Sequence, residues 1–364
     1  MLAFSKKRCI INFMGILTIE KKSFGVFSDG SEASLYTVSN GVMSFSASDY
    51  GCTLTSINLP DSKKAGGKTV DVLLGFSTLE GWVQDSSCFG TCVGRFANRI
   101  GKCSFTLDGK EYKLDDNDFG RTLHGGFDRW EKMLWNSRIV STENGLGVEF
   151  SRTSPDGEQN FPGNVDVTQT YTLDSDNNLT IEYNAVTDKA TPLNITNHAY
   201  FNLKGYDGGS VFDQELYFDS DSVLEIGEDH IPTGKKISVK GTPFDFTSPK
   251  LIGKDFEKVA PGYDHFFCVN GYKNDGTLRE FCYVKDPASG RKMTVKTTQP
   301  GIQLYTANFI DGIKGKKGFG YKNQGALCLE AQGYPDAPNK PDFPSAVLRP
   351  GEKYHQVTKY CFEF

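Results

Sequence analysis

Between Asn164 and Leu173 the chain reads NVDVTQTYTL, with Val165, Val167, Gln169, Tyr171 and Leu173 on one face and Asp166 and three threonines on the other. Strict alternation has a period of two, which a helix smears around its circumference and a strand displays as one apolar face. The polar run DSDNN then turns the chain, and LTIEYNAV returns Leu179, Ile181, Tyr183 and Ala185 to one side. Two such segments joined by a short polar turn are antiparallel strands with one face on a core and a wetter face outside. CSFTLDGKEYKL repeats the theme at smaller scale, because Asp108-Gly109 can supply the positive φ angles of a tight hairpin turn. The 27 Phe, 16 Tyr and 39 Gly among 364 residues suit a β-rich chain with many turns. Long amphipathic helices are scarce, and SPKLIGKDFEKV is the segment expected to hold a short one. The expected architecture is all-β: one large antiparallel β-sandwich with few short helices and no internal boundary.

Several function classes drop out. A net charge of −5 and a pI near 5.7 give no electrostatic case for nucleic acid or an anionic membrane. No stretch is long and apolar enough to span a bilayer. The start, MLAFSKKRCIINFMGILTIEKK, sets a basic cluster before an apolar run, but Glu20, Lys21 and Lys22 follow where a small-residue cleavage site belongs. Secretion is therefore not expected and a cytoplasmic protein is. These first 22 residues are set apart as an unassigned extension with Met14 as an alternative start, leaving residues 23–364 as the domain. The nine cysteines show neither a CxxC pair nor zinc-ligand spacing, which reads as reduced, mostly buried thiols. No metal and no nucleotide cofactor is expected. Prolines at 335, 338, 341, 344 and 350 exclude helix and central strand over 331–350. That region is an ordered surface loop, either an ordinary connection or a rigid wall beside a site. The oligomeric state is not legible.

Five histidines occur, so each can be weighed. His198 sits inside NITNHAYFNL, an apolar and aromatic run that reads as a buried strand. It is either a core residue with a hydrogen-bond partner or a chemical group in a pocket wall. His124 lies in TLHGG, whose glycines let backbone or ligand approach closely. His265 follows Asp264 in GYDHFF, where the Asp is the stronger candidate. His230 and His355 have polar, exposed surroundings and no assigned role. Glu330 follows the apolar strand of ALCLEAQ. Burial there would raise its pKa toward that of a general base, and the alternative is a strand-end glutamate facing water. Asn98 and Arg99 form a further cluster in GRFANRIG, where the arginine either donates to ligand oxygens or serves a structural ion pair.

Taken in order, GRFANRIGKCSFTLDGKEYKL, TLHGG, NITNHAYFNL, IPTG, GTPFDF, GYDHFF, GIQLYTANF and LEAQGYPDAPN resemble the aldose 1-epimerase, or galactose mutarotase, family from about residue 23 to the C-terminus. The resemblance implies a twisted β-sandwich of the galactose-mutarotase type and cofactor-free interconversion of the α and β anomers of a small-molecule sugar. It also implies that Glu330 is the general base and His198 the general acid. By the same resemblance, Asn98, Arg99, His124, Asp264 and Gln303 contact the sugar. Departures from the family pattern at Ala331 and Phe161 touch neither the acid nor the base. A hexose 6-phosphate epimerase would need extra cations for the dianion, and the motifs offer only Arg95 and Arg99, which favours free hexoses such as galactose and glucose. A non-catalytic sugar-binding module is the other alternative, and it would need neither Glu330 nor His198.

Overall fold

The computed structural model describes residues 9–13, 17–61 and 68–364; Met14 lies outside the described residues. Three large antiparallel sheets make the body. The first is a six-stranded meander in chain order: Cys9–Phe13, Leu17–Val26, Glu32–Ser39, Ser44–Ser48, Thr53–Pro60 and Thr69–Asp71. The second has nine strands, and its centre runs Gly145–Ser154, Val165–Asp174, Asn178–Thr187, Tyr354–Glu363, Lys292–Thr297 and Arg279–Lys285. The third also has six, in the order Tyr200–Phe201, Leu327–Gln332, Gly301–Tyr305, Asp264–Cys268, Ser222–Ile226 and Pro232–Ser238.

The alternating residues do what their period requires. Val165, Val167, Gln169, Tyr171 and Leu173 are all buried, as are Leu179, Ile181, Tyr183 and Ala185 on the neighbouring strand. This inner face of the nine-stranded sheet packs on both six-stranded sheets. Tyr36 meets Phe150 edge-on across one interface, and Phe218 stacks on Phe267 at 4.2 Å across the other. One contiguous apolar core results, in which truncating a ring such as Phe267 to Ala costs about 3–5 kcal/mol. The single α-helix among the described residues is Leu79–Gln84. SPKLIGKDFEKV forms a 3₁₀ segment, Ile252–Lys258, with a non-helical Asp255 inside it.

The boundary expected at residue 22 falls within a strand. Lys22 pairs with Leu35 in the middle of Leu17–Val26, and Leu17 and Ile19 are core residues. The alternation that places them is only four residues long before Lys21 and Lys22 break it, so the segment does not announce itself as a strand. The proline-rich segment is a surface connection, with a short 3₁₀ turn at Ala337–Asn339 and a two-residue strand at Val347–Leu348. It is also a wall. Asp336 donates its N–H to the Arg99 carbonyl, and its carboxylate accepts the Gly101 N–H, both at 2.9 Å, which docks the loop against the segment carrying Asn98 and Arg99.

Candidate active site

Asn98, Arg99, His124, His198, Asp264, Gln303 and Glu330 all line one pocket of about 290 Å³. A larger groove of about 540 Å³ lies on the outer face of the nine-stranded sheet, lined by groups such as Arg152, Asp166 and Lys353, and none of the seven reaches it. We place the chemistry in the smaller cavity because the buried, electrostatically perturbed groups converge there.

The third sheet supplies the floor. Glu330 lies within the strand Leu327–Gln332, not at its end, and all six residues of that strand are buried. Gln303 is its direct partner on the next strand, and Asp264 stands diagonally to Gln303 on the strand beyond, so three polar side chains share one face. Gln303 Nε2 donates to Asp264 Oδ1 at 2.6 Å. Glu330 is only 3% exposed, and its Oε2 has no hydrogen-bond partner among the described residues. Burial pushes its carboxyl well above the ordinary range; Asp264 adds to the shift and Arg99 opposes it.

The strand expected over NITNHAYFNL is interrupted at the histidine. Thr196–Asn197 pairs with Cys92–Val93, Tyr200–Phe201 pairs with Cys328 and Leu327, and His198–Ala199 bridges the gap between two different sheets. The asparagines hold this crossing. Asn194 Nδ2 donates to the carbonyls of Ala97 and Gly333, and its Oδ1 accepts the Gly333 N–H at 2.7 Å. It thus ties the Asn98 segment to the end of the Glu330 strand. Asn197 Nδ2 donates to the Gly90 and Thr91 carbonyls. An asparagine amide both donates and accepts, so it can stand in for a missing ladder bond. His198 Nε2 is then 3.5 Å from Glu330 Oε1, with its ring stacked on Tyr200 at 5.0 Å. Burial lowers the imidazole pKa to about 4, assisted by the charge of Arg129 and opposed by Asp264.

The loops supply the upper wall. Asn98 and His124 both have positive φ, 68° and 54°, an uncommon conformation for residues other than glycine. They hold each other: the Asn98 N–H donates to His124 Nδ1, and the His124 N–H donates to the Asn98 carbonyl, each at 3.2 Å. With Nδ1 as acceptor, the proton of this neutral imidazole resides on Nε2. The close approach that TLHGG predicts is of protein, not ligand: a Cβ on Gly125 would stand 2.8 Å from the Gly94 carbonyl. Arg99 donates from Nε to Asp118 at 2.9 Å and places Nη1 3.7 Å from Asp264. Arg99 therefore makes ion pairs and also lines the pocket. Arg95 is different. It is fully buried away from the cavity and donates to Ser154 and to the carbonyls of Pro155, Pro162 and Gly163, so it is no ligand cation.

The sequence reading missed Arg129, Tyr305, Phe309 and Cys88, all of which line the pocket. Phe309 is 72% exposed, and only its place beside GIQLYTA hinted at a rim position. His230 and His355 are exposed, and the His265 ring packs on Phe244 at 4.4 Å. The eight cysteines whose side chains are described carry free thiols. Cys103 lies in a turn at φ 49°. Where no metal cluster was expected, His198, Cys328 and Glu330 bring donor atoms within 4.8 Å of one another. Cys328 Sγ lies 3.5 Å from Nδ1, and Glu330 Oε1 lies 3.5 Å from Nε2. Among the described residues no helix is long and apolar enough to cross a membrane.

The family model for aldose 1-epimerase matches residues 34–361. Galactose mutarotase of Bos taurus is 46% identical over 86% of this chain and 89% of its own length, and that of Homo sapiens 43% identical over 92% and 95%. Among solved structures, an aldose epimerase homologue from C. elegans superposes with a TM-score of 0.80 at 32% identity, over 88% of this chain and 96% of that one. A galactose 1-epimerase from Lactobacillus acidophilus gives a TM-score of 0.81 at 26% identity over 99% of both chains.

Proposed function

The chain belongs to the aldose 1-epimerase family, and from that premise we propose that it interconverts the α and β anomers of free hexoses such as galactose and glucose. Glu330 acts as base and His198 as acid. The carboxylate takes the proton of the C1 hydroxyl, the C1–O5 bond breaks as the C1 carbonyl forms, and His198 delivers a proton to O5. Rotation by about half a turn around C1–C2 presents the other carbonyl face, and the same two groups reverse their roles as the ring recloses. No electron pair leaves the sugar, so the step needs no redox partner.

The observation that carries this reading is the pair itself: two buried groups 3.5 Å apart, one with an unpartnered oxygen, on the wall of a monosaccharide-scale cavity. Burial disfavours charge on both, lifting the carboxyl and lowering the imidazole. A neutral acid beside a neutral imidazole and a carboxylate beside an imidazolium are tautomers of one singly protonated pair. A proton transfer between them readies the base and the acid together. Gln303, Asp264, Arg99, Asn98 and His124 Nε2 bind the hydroxyls. Free sugars are favoured over 6-phosphates because the pocket's arginines already face carboxylates: Arg99 faces Asp118 and Asp264, and Arg129 faces Glu131. A non-catalytic binder would have no use for an orphaned buried carboxyl. Anomer exchange of galactose and glucose, followed by saturation-transfer NMR with and without the protein, tests the proposal. Exchange at the uncatalysed rate for both sugars would sink it.

A further inference from the structure

Arg129 has no part in the scheme above, yet it stands in the same cavity. It precedes the 3₁₀ turn Trp130–Lys132, and its side chain is 17% exposed. Its Nη2 is 2.6 Å from Oε1 of Glu131, a residue only 3% exposed, whose other oxygen accepts the Cys88 thiol at 2.9 Å. This contact with a buried acid occupies one of the three guanidinium nitrogens. The Nε and Nη1 donors have no protein acceptor among the described residues, although the residue lines the pocket with Cys88, His198 and Tyr200.

Its position within the cavity is also defined. Tyr200 stacks on His198 and sends its hydroxyl to the Ser87 carbonyl, next to Cys88 and so to Glu131 and Arg129. Arg99 instead places Nη1 3.7 Å from Asp264, which accepts from Gln303, the direct cross-strand partner of Glu330. Arg99 therefore serves the Glu330 end and Arg129 the His198 end. A hexopyranose with O1 at Glu330 and O5 at His198 has one further substituent near O5, because the ring oxygen is bonded to C1 and C5 only. C1 points toward Glu330; C5, with its exocyclic C6, extends past His198.

Resting on the epimerase reading, we infer that Arg129 is a specificity-determining residue that donates to the C6 hydroxyl of the bound hexose. Its preference is for a neutral oxygen over a carboxylate or phosphate, because Glu131 already balances its charge and Asp264 and Glu330 make the rest of the pocket acidic.

The test compares kcat/KM for galactose, 6-deoxygalactose and the pentose of the same configuration lacking C6, all by anomer-exchange NMR. In the native protein galactose should exceed 6-deoxygalactose by roughly tenfold to a hundredfold, the range for a hydrogen bond to a charged donor. Arg129→Lys keeps a cation for Glu131, but a compact ammonium drawn to that carboxylate lacks the spread of the forked guanidinium toward the sugar, so the ratio should fall. Arg129→Met combined with Glu131→Gln leaves no buried charge unpaired and should bring the ratio near one. Native protein that turns over both sugars alike, or a ratio unchanged in Arg129→Lys, overturns the inference, even if the double variant fails to fold. Acceleration of none of the three sugars would remove the epimerase reading and this inference with it, an outcome distinct from catalysis that ignores C6.

Discussion

Glu330 and Asp336 are buried acids six positions apart, one on the floor strand and the other in the proline-rich loop that follows it. Asp336 is 1% exposed and fully employed: its carboxylate accepts from the Gly101 N–H, Asn339 Nδ2 and Lys340 Nζ, the last at 2.5 Å. Glu330 is as deep, yet Oε2 accepts nothing and Oε1 meets only a histidine at 3.5 Å. The loop holds polar groups whose needs are met, and it is therefore rigid. The floor holds polar groups whose needs are unmet, at a cost of about 1–3 kcal/mol for each buried unsatisfied group. A fold tolerates such a cost where a ligand completes the hydrogen bonds. The contrast assigns chemistry to the floor and support to the loop, and substitutions can separate the two.

The largest effects belong to the floor. Glu330→Gln and His198→Asn should each lower turnover by about 10²–10⁴-fold, with much smaller changes in sugar affinity. The double variant should be barely worse than the poorer single one, because the two groups act as a unit. Neither change should lower the melting temperature, and Glu330→Gln relieves a carboxyl that already resists ionisation. A folded Glu330→Gln protein turning over at the native rate would refute the assignment. The native pH profile follows from the same pair. As pH falls through the lowered value of about 4 for His198, both groups carry protons and no base is left. As pH rises through the raised value of Glu330, the shared proton is lost and no acid is left. The rate should therefore fall on both sides of a plateau whose limbs belong to the pair. An alkaline limb confined to the ordinary carboxylate range would contradict the burial of Glu330.

Next in size come the residues that join floor to loop. Arg99→Ala or Asp264→Ala should reduce kcat/KM by roughly tenfold to a hundredfold, the range for a hydrogen bond involving a charged group, and should raise KM as well as lower kcat. Steady-state rates over a galactose series decide this, and a pure kcat effect would move the residue into the proton-transfer step. Asp336→Asn should invert the pattern, costing about 1–3 kcal/mol of stability through the bonds to Gly101 and Lys340, with a modest loss of affinity because Arg99 sits above them. Chemical denaturation beside sugar titration makes the comparison.

How much of this was legible beforehand follows from the range of the interactions. Alternation over Val165–Leu173 is a local property, and it fixed the strand class and the buried face together. The hairpin at Asp108-Gly109 is equally local. Glu330 and His198 stood out because a charged or polar residue in an apolar run is a visible anomaly. The break at His198 was hidden, since two-residue strands that switch sheets carry no period. Arg95 and Arg99 share one motif, and nothing local tells the guanidinium that clamps four carbonyls and the Ser154 and Thr191 hydroxyls from the one that faces the cavity. Arg129 was missed because DRWEK reads as an ordinary charged turn; its meaning depends on Cys88 and His198, distant in sequence. The edge of the first sheet was missed because two lysines end its alternation early.

The smallest effect tests whether the floor contains a third participant. Cys328 is fully buried behind His198, with Sγ 3.5 Å from Nδ1, and burial among neighbouring acids pushes its thiol well up. A thiol so placed is neither nucleophile nor base. Its service is at most a weak contact with Nδ1 that water or serine can replace. Cys328→Ser should therefore leave turnover within about threefold of native, a sub-kcal/mol change of the size weak hydrogen bonds produce. Dialysis against a chelator should leave the rate unchanged, because proton transfer through Glu330 and His198 calls for no metal. Loss of activity on chelation, restored by zinc and abolished in Cys328→Ser, would instead make the floor a metal centre, and the unmet valence of Glu330 would then belong to an ion and not to the sugar.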